Sequence, residues 1–385
     1  MRHIISVFKY FLVTVFLVLG IPYLIPPVYN FTEPQPFKGN LFYNPYADID
    51  SNKWLKSNFH EHSNVWSGMT SGKESTVEDI KKTYKELNYD IIGISDYMLV
   101  NPESDAMVYE YSLSLSKSHY LVFGDSCVKW FYIPFIQNVN QKQFMINYLK
   151  SDRNYIAVAH PSMVNAFSFG DIKYLTNYDL IEIIRHERIM LDYFDTVLSN
   201  GHKVFLLAGD DGHNIKKPTE VGEGFTLINS PSKSQSDLMK SLKAGKSIGV
   251  KHTGKDESLS SKTALLKTLP VITAFDVDSS GYIKIKLNRK APVIYFVGQG
   301  GIVKKEVLNS DTASYKFSET DTYIRTVAVC EGYTYYLNPV FRYEKNTEII
   351  QPSVNSARTL IIRVSGALSV FTAIFLLIYS GRKKE

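Results

Sequence analysis

The chain has 385 residues, which is enough for two folded domains and membrane anchors. Lys and Arg outnumber Asp and Glu by 43 to 38, and this small excess gives no argument for nucleic-acid binding. The two cysteines, Cys127 and Cys330, have no spacing typical of a zinc knuckle or a disulfide framework. We therefore expect unpaired, mostly buried thiols.

Residues 1–27 contain a strongly apolar run, YFLVTVFLVLGIPYLI, preceded by basic residues. Such a run is typical of a signal peptide or of an uncleaved anchor. No small-x-small cleavage site follows it, and prolines stand there instead, so we favour an anchor. Residues 28–53 are rich in Pro, Asn and Tyr, and we interpret them as a linker.

Residues 358–380 are predicted to form a transmembrane helix, because an apolar run of about 20 residues spans a bilayer. Arg363, the single charge in the apolar run, lies near one end, where it can reach the interface. A linker, residues 346–357, precedes the helix. The basic tail at 381–385 predicts a cytoplasmic C-terminus. The main domains would then be extracytoplasmic, periplasmic or extracellular, with the lipid bilayer as a partner.

Residues 54–250 alternate between short apolar runs and helical patterns. The helical patterns are STVEDIKKTYKEL, QFMINYLK, MLDYFDTVLS and QSDLMKSLKAG. The apolar runs each end near a polar residue: WLKSNF before His60, YDIIGIS before Asp96, YLVFG before Asp125, YIAVA before His160, LIEII before Arg185 and KVFLLAG before Asp210. This alternation predicts an α/β fold with a parallel sheet covered by helices. Polar residues after so many strands favour a closed barrel with its site on that face, and an open doubly wound sheet is the alternative.

The chain changes character after this region. Residues 251–267 are polar and are interpreted as a linker. Residues 268–345 then contain the short runs VITAFDVD, YIKIKLN, PVIYFVG, SYKFSE and YIRTVAVCEG, separated by Gly, Asn and Asp. These runs predict a small β-sandwich domain.

Histidines and aspartates gather where the predicted strands end. His60 and His62 are two residues apart, so their side chains point to the same side of a strand. A lone His-x-His is weak evidence, but the later strands add Asp96, His160, Asp211 and His213. Imidazole and carboxylate together suit zinc, manganese or iron. The sequence therefore predicts a divalent-metal site.

The motifs NFHEHS, IIGISDY, AVAHPS and LAGDDGH, in this order, resemble the polymerase and histidinol phosphatase (PHP) family. That family's pattern reads roughly His-x-His, Thr-Asp-His, Gly-x-Glu, His-Pro and Asp-x-His. The stretch EVGEGFTLIN before DLMKSLKAGK is similar to its closing segment. The resemblance covers residues 54–250 well and 268–343 loosely. It implies a distorted (β/α)7 barrel whose divalent ions activate a water for attack on a phosphate ester.

The resemblance also implies a ligand set. The positions that match are His60, His62, Asp96, His160, Asp211 and His213. Two positions depart from the family pattern. Tyr97 stands where the second histidine of Thr-Asp-His belongs, and Ser126 aligns with the bridging glutamate. Asp125 lies one residue earlier and can replace that glutamate if the strand has ended or is bulged there. With Asp125 as a metal ligand, we expect two ions of manganese, zinc or iron.

Other roles follow from the chemistry of the side chains. Asp211 could bind metal and also take a proton. Arg185 is a candidate for contact with the substrate phosphate, because a guanidinium can bind it through two hydrogen bonds. Tyr97 could donate a hydrogen bond to substrate. Glu182 points inward if LIEII is a strand, which suggests a structural hydrogen-bond partner.

The sequence thus predicts a membrane-anchored, metal-dependent phosphoesterase that hydrolyses a phosphorylated small molecule or a phosphodiester. One alternative is a catalytically degenerate barrel that acts as a binding or scaffold protein. Another alternative is a metal-dependent amide or lactone hydrolase, because a similar His-x-His barrel supports that chemistry.

Overall fold

The structure is a computed structural model that describes residues 2–70, 74–112, 115–255, 258–345 and 351–382. The last three residues of the predicted basic tail, 383–385, lie outside the described residues. So do residues 256–257 and 346–350, which belong to two of the predicted linkers. Both cysteines are free; Cys330 is buried and Cys127 is exposed, so the prediction of buried thiols holds for Cys330 alone.

Helices occupy both ends of the described chain and cover the sheets between them. They are α1 (Arg2–Gly20), α2 (Val77–Glu86), α3 (Val139–Leu149), α4 (Phe169–Tyr174), α5 (Leu191–Ser199), α6 (Gln235–Lys243), α7 (Leu259–Leu266) and α8 (Ser356–Arg382). The four helical patterns predicted between residues 54 and 250 are confirmed as α2, α3, α5 and α6. In α2, Thr76 caps the N-terminus by accepting from the Asp79 amide at 3.1 Å, and Ile80 and Tyr84 form the buried face.

The strands lie between residues 29 and 354. They are β1 (Tyr29–Asn30), β2 (Leu41–Tyr43), β3 (Trp54–Asn58), β4 (Ile91–Ile92), β5 (Val108–Tyr111), β6 (Tyr120–Phe123), β7 (Tyr155–Val158), β8 (Leu180–Arg185), β9 (Arg188–Ile189), β10 (Phe205–Gly209), β11 (Gly224–Asn229), β12 (Ser247–His252), β13 (Ile272–Val277), β14 (Tyr282–Val297), β15 (Val303–Lys316), β16 (Tyr323–Cys330), β17 (Tyr333–Leu337), β18 (Val340–Tyr343) and β19 (Ser353–Val354). The fold is therefore mixed α/β, as the alternation predicted.

One sheet has the strand order β10-β8-β7-β6-β5, with β9 paired to β8. β10, β8 and β7 run parallel to one another. β6 is antiparallel to both of its neighbours, β5 and β7, which differs from the parallel sheet expected from the sequence. Because β6 is reversed, the residue before it lies at the edge where β7 and β8 end. This reversal matters for the site.

The second sheet has the order β13-β14-β16-β17-β12-β11-β3-β4. β3 and β4 are parallel, and the other pairs along this path are antiparallel. The apolar runs predicted between 268 and 345 do form strands, and two of them belong to the single strand β14. Since β17 pairs with β12, hydrogen bonding continues across the predicted linker 251–267. The proposed domain limits stay a prediction.

Two isolated parallel bridges lie where the edges of the two sheets meet. Glu61 pairs with Gly212 just beyond β3 and β10, and Tyr97 pairs with Glu110 just beyond β4. They bring the chain segments that follow β3, β4 and β10 next to β5. Closure of these strands into a seven-stranded barrel stays a prediction, and the bridges mark the place where the site residues meet.

The C-terminal helix α8 is exposed and apolar. Its stretch Ser356–Phe375 is long and apolar enough to cross a bilayer, and 6% of that stretch is buried. The apolar stretch Tyr10–Leu24 is shorter. β1 and β19 pair antiparallel, which brings the segment after the N-terminal apolar stretch next to the start of α8. One such helix is weak evidence for membrane anchoring, and the side of the membrane stays a prediction.

Candidate metal centre

His60 and His62 follow β3 and point to the same buried place. The Nε2 atoms of both imidazoles face one carboxylate oxygen, Oδ1 of Asp211, at 3.2 and 3.1 Å. Backbone hydrogen bonds hold the two segments side by side, because the Asp211 amide donates to the His60 carbonyl at 2.8 Å and the His62 amide donates to the Gly212 carbonyl at 3.0 Å. The structure therefore brings these three predicted ligands together, and their binding of a metal ion stays a prediction.

Glu110, which the sequence analysis did not single out, lies at the centre of the cluster. Its Oε2 is 3.0 Å from Nε2 of His62 and 3.4 Å from Nε2 of His60. Its Oε1 is 2.5 Å from Nδ1 of His119 and 3.1 Å from Nε2 of His160. Each oxygen of this one carboxylate thus faces a different pair of imidazoles.

Glu182 on β8 fixes the orientation of the histidines. Its Oε1 accepts from Nδ1 of His60 at 2.9 Å, and its Oε2 accepts from the backbone amide of His160 at 2.9 Å. Gly209 on β10 permits this close approach. A Cβ on Gly209 would lie 2.9 Å from Cβ of His60 and 3.2 Å from Oε1 of Glu182. The expectation of a structural role for Glu182 agrees with these contacts.

Two cluster residues have backbone conformations that side chains rarely adopt. His160 has φ 26° and Asp211 has φ 51°. Such conformations cost free energy and persist where the surrounding structure imposes them. The chain thus accepts local strain to direct these two side chains inward.

The charges in the cluster shift one another's pKa. Burial raises the pKa of Glu110, but His119 and His60 outweigh it and hold that pKa well below its usual range. Burial also acts to raise the pKa of Asp211, yet His60 and its neighbours hold it well below its usual range. Burial lowers the pKa of His62, but Asp211 and Glu110 raise it to about 9. Both carboxylates are therefore ionised at neutral pH.

One side of the cluster is less buried and carries further polar groups. His213 has a side chain 28% exposed and places Nε2 3.3 Å from Oδ1 of Asp211. Nε of Arg185, at the end of β8, donates to Oδ2 of Asp211, and the Arg185 side chain is 15% exposed. The Tyr97 ring stacks on the His62 ring with centroids 4.3 Å apart. Burial and the charges of Glu110 and Asp211 raise the pKa of Tyr97, so its phenol stays neutral.

Asp96, a predicted ligand, lies beside the cluster but is engaged by other donors. Its Oδ1 accepts from the Ser63 amide at 2.7 Å, and its Oδ2 accepts from Oγ of Ser63 at 2.9 Å and from Nδ2 of Asn101 at 2.8 Å. These contacts fix the turn directly after His62. In the structure, Asp96 therefore holds the residues that follow His62 in position.

Asp125, predicted as the substitute for the bridging glutamate, is placed away from the cluster. Its Oδ2 accepts from Nδ2 of Asn154 at 2.9 Å, just before β7 begins. The reason is the reversed direction of β6: Asp125 follows the C-terminal end of a strand that points away from the site. His119, which precedes β6, reaches the cluster instead. Glu110 supplies the carboxylate that was expected from Asp125.

Sequence reasoning missed Glu110 and His119 for identifiable reasons. Glu110 lies inside the strand VYEY, whereas the predicted ligands were expected in the residues that follow apolar runs. Its alternation is visible, since Val108 and Glu110 share one face of a strand. His119 matches none of the quoted motifs, and it precedes an apolar run instead of following one. A reversed strand brings its N-terminal end to the site, and no pattern in the sequence marks that reversal.

The donor atoms fit a divalent ion. Three groups each have ligand atoms within 4.8 Å of one another: His60, His62, Glu110 and Asp211; His60, His160 and Glu182; Glu110, His119 and His160. Within the described residues, Nε2 of His60 and Oε2 of Glu110 are buried without a hydrogen bond. Buried polar atoms are normally satisfied, and a metal ion would satisfy both. Imidazole with carboxylate is the donor set of zinc, manganese and iron sites.

No protein-family model and no curated protein matches the sequence. A crystal structure of a two-domain protein containing a predicted PHP-like metal-dependent phosphoesterase, from Bacteroides vulgatus, is 12% identical with a TM-score of 0.39; the alignment covers 84% of this chain and 94% of that one. PsfC from Pseudomonas syringae is 11% identical with a TM-score of 0.37, over 56% of this chain and 98% of that one. Similarities this low do not indicate a function for this chain.

Proposed function

We propose that the chain is a metal-dependent hydrolase of phosphate esters. The observation that carries this proposal is the position of Glu110 between two pairs of imidazoles, 3.0 and 3.4 Å from one pair and 2.5 and 3.1 Å from the other. A carboxylate shared in this way is suited to two neighbouring ions, and paired ions clamp the attacking and leaving oxygens of a phosphate.

We propose two sets of ligands that share Glu110. His60, His62 and Asp211 would complete one set, and His119 and His160 would contribute to the other. Manganese, zinc or iron fits these donors. A divalent ion here would lower the pKa of a coordinated water from about 15.7 toward about 7 and supply hydroxide at neutral pH.

Asp211 and Glu182 have different proposed roles at the metal centre. Neighbouring imidazoles hold the pKa of Asp211 well below its usual range, so its carboxylate stays ionised. An ionised carboxylate is suited to bind a metal ion, but it does not readily keep a proton. Glu182 holds His60 in the tautomer that directs Nε2 into the cluster. The low pKa of Asp211 therefore supports its role as a metal ligand more than its role as a proton acceptor.

Arg185 and Tyr97 are proposed to bind the substrate. A guanidinium has five N–H donors, so Arg185 can bind Asp211 through Nε and present its other nitrogens to phosphate oxygens. Tyr97 remains neutral because burial and nearby carboxylates raise its pKa, and its hydroxyl can donate a hydrogen bond. The positive charge of Arg185 beside the proposed metal ligands favours an anionic phosphate ester over a neutral amide as the substrate.

We further propose that the protein is anchored in a membrane by α8 and the N-terminal apolar run, with the region between them extracytoplasmic. Support for the anchor comes from the exposed, apolar stretch Ser356–Phe375. Support for the orientation is the basic character of the sequence after that helix. The substrate is then a phosphorylated small molecule or a phosphodiester outside the cytoplasm.

The test is hydrolysis by the full chain in detergent micelles, after chelation and after return of manganese, zinc or iron. We expect metal-dependent cleavage of phosphomonoester or phosphodiester test substrates, lost in His60→Ala and in Asp211→Ala while the thermal transition persists. Activity in either variant, or without metal, would contradict the site assignment. Cleavage of amides or lactones alone would indicate the amidohydrolase alternative, and tight metal binding without turnover would indicate a degenerate barrel.

A further inference from the structure

A segment between β6 and α3 exposes several apolar side chains, although hydrogen bonds hold its backbone in place. Residues 128–137, VKWFYIPFIQ, contain no acidic residue. Trp130 and Ile136 are 60% and 82% exposed, and Tyr132 and Phe135 are 37% and 41% exposed. Contiguous exposed apolar side chains of this size mark an interaction surface.

The backbone of this segment is held from the inside. Ile133 is fully buried, and its carbonyl accepts from Nε2 of Gln137 at 3.1 Å. The Phe131 amide donates to the Tyr148 hydroxyl at 3.3 Å, and Nζ of Lys129 donates to the Tyr148 carbonyl at 2.7 Å. The exposed aromatic side chains are therefore presented outward by a fixed backbone.

The segment lies beside the outer ends of the two terminal helices. Arg363 of α8 donates through Nε to the Leu24 carbonyl at 3.1 Å and through Nη2 to the Ile25 carbonyl at 2.7 Å. The neighbouring Tyr23 hydroxyl accepts from the Phe135 amide at 2.8 Å. A lone arginine near the end of an apolar helix marks the level of the bilayer interface. Phe135 is thus held at the same level as Arg363.

A second contact supports this placement independently. The amide of Tyr29, in the strand that pairs with the residues before α8, donates to Oδ1 of Asn140 in α3 at 2.7 Å. α3 begins two residues after the segment ends. The segment is therefore attached to the anchor region both at Phe135 and just after its last residue.

We propose that residues 130–136 form a docking surface that lies in the interface of the bilayer holding α8. Trp and Tyr concentrate at this depth, where an aromatic ring meets lipid and its polar atom meets water. The occupant is lipid because the surface continues directly from the helix ends that enter the bilayer. This proposal rests on the membrane anchor proposed above, but it does not depend on the hydrolase activity.

The docking surface is also joined through the backbone to a chain segment that leads to the metal centre. The Pro134 carbonyl accepts from the Leu115 amide at 2.9 Å, which joins the docking surface to the turn before β6. His119, at the end of that turn, lies 2.5 Å from Glu110.

The test uses the three tryptophans of the chain as depth reporters. The full chain carrying Trp54→Phe and Trp66→Phe retains Trp130 alone and is reconstituted in phosphatidylcholine vesicles with or without brominated acyl chains. We expect brominated lipid to remove most of the Trp130 emission. The matched control carries Trp66→Phe and Trp130→Phe and retains Trp54, at the start of β3, whose emission should not change. Neither experiment requires metal or turnover.

If the doubly substituted chain does not fold, the wild-type chain is compared with Trp130→Phe, which alters one exposed side chain. The lipid-dependent loss of emission should then be present in wild type and largely absent in the variant. Equal quenching of Trp54 and Trp130, or none at Trp130, would overturn the proposal. Unquenched Trp130 emission that changes with protein concentration would assign the surface to a second copy of the chain, and would overturn it as well.

Discussion

Nδ1 of His60 lies 2.9 Å from Oε1 of Glu182 in the buried centre. With Nδ1 held there, Nε2 of His60 faces Glu110 and Asp211, at 3.4 and 3.2 Å. The second oxygen of Glu182 accepts from the His160 amide, so one side chain sets the direction of two predicted ligands. Partners of this kind tune metal affinity without touching the ion.

We predict that Glu182→Gln lowers metal affinity by about 10- to 100-fold, because the amide cannot accept from both His60 and His160. Competition with a chromophoric chelator measures the affinity. Glu187→Gln is the matched control, since the Glu187 side chain is 77% exposed and should leave the affinity unchanged. An unchanged affinity in Glu182→Gln would remove the orienting role.

We predict that metal binding releases protons at neutral pH. The pKa of His62 is raised to about 9 by Asp211 and Glu110 against the effect of burial, so the metal-free imidazole is protonated at pH 7. A ligating imidazole must be neutral. Apparent affinity should therefore rise by about tenfold per pH unit for each released proton and level off above pH 9. Calorimetry in buffers of different ionisation enthalpy counts the protons; zero at pH 7 would contradict this electrostatic picture.

We predict that Arg185→Lys lowers kcat/KM for phosphate esters by about 10- to 100-fold, which corresponds to loss of a charged hydrogen bond of about 1.5–3 kcal/mol. Lysine keeps the charge but loses the forked donors that bind phosphate and Asp211 together. Arg188→Lys is the control, because the Arg188 side chain is 56% exposed and lies 3.9 Å from Glu187. Equal activity of the two variants would exclude Arg185 from substrate binding.

We predict that Asp195→Asn destabilises the chain by about 3–5 kcal/mol, because it leaves a buried cation without its partner. Asp195 on α5 accepts from both Nε and Nη2 of Arg325 on β16, each at 2.7 Å, and so ties a helix of the metal-binding region to the C-terminal strands. Urea unfolding measures the change. Glu319→Gln, at an exposed carboxylate, should stay within about 0.5 kcal/mol. Equal midpoints would show that this ion pair adds nothing to stability.

Much of the centre was predictable because parallel strands deliver their following residues to one edge. His60, His62, His160 and Asp211 all follow strands that the apolar runs identified, and all meet in the structure. The i, i+2 spacing of the first pair needed only the two-residue period of a strand. Where chain direction repeats, a sequence pattern is enough to place the side chains.

The same reasoning failed at β6, where the chain direction reverses. Asp125 was expected at the site because it follows an apolar run, yet that run ends at the far edge. Glu110 lies within its strand, whereas the sequence pattern pointed to residues that follow strands. Strand direction is set by long-range pairing, which a local pattern does not encode. The β strands after residue 268 were likewise recognisable, but their continuation into the sheet through β12 and β17 was not.

The most direct test is the metal content of the purified full chain after exhaustive dialysis, measured by elemental mass spectrometry for wild type, Glu110→Gln and Asp125→Asn. Glu110 faces four imidazole nitrogens, whereas Asp125 pairs with Asn154 away from the cluster. We expect two ions in wild type and in Asp125→Asn, and fewer in Glu110→Gln. Full occupancy in Glu110→Gln, or loss of metal in Asp125→Asn, would contradict the shared-carboxylate centre.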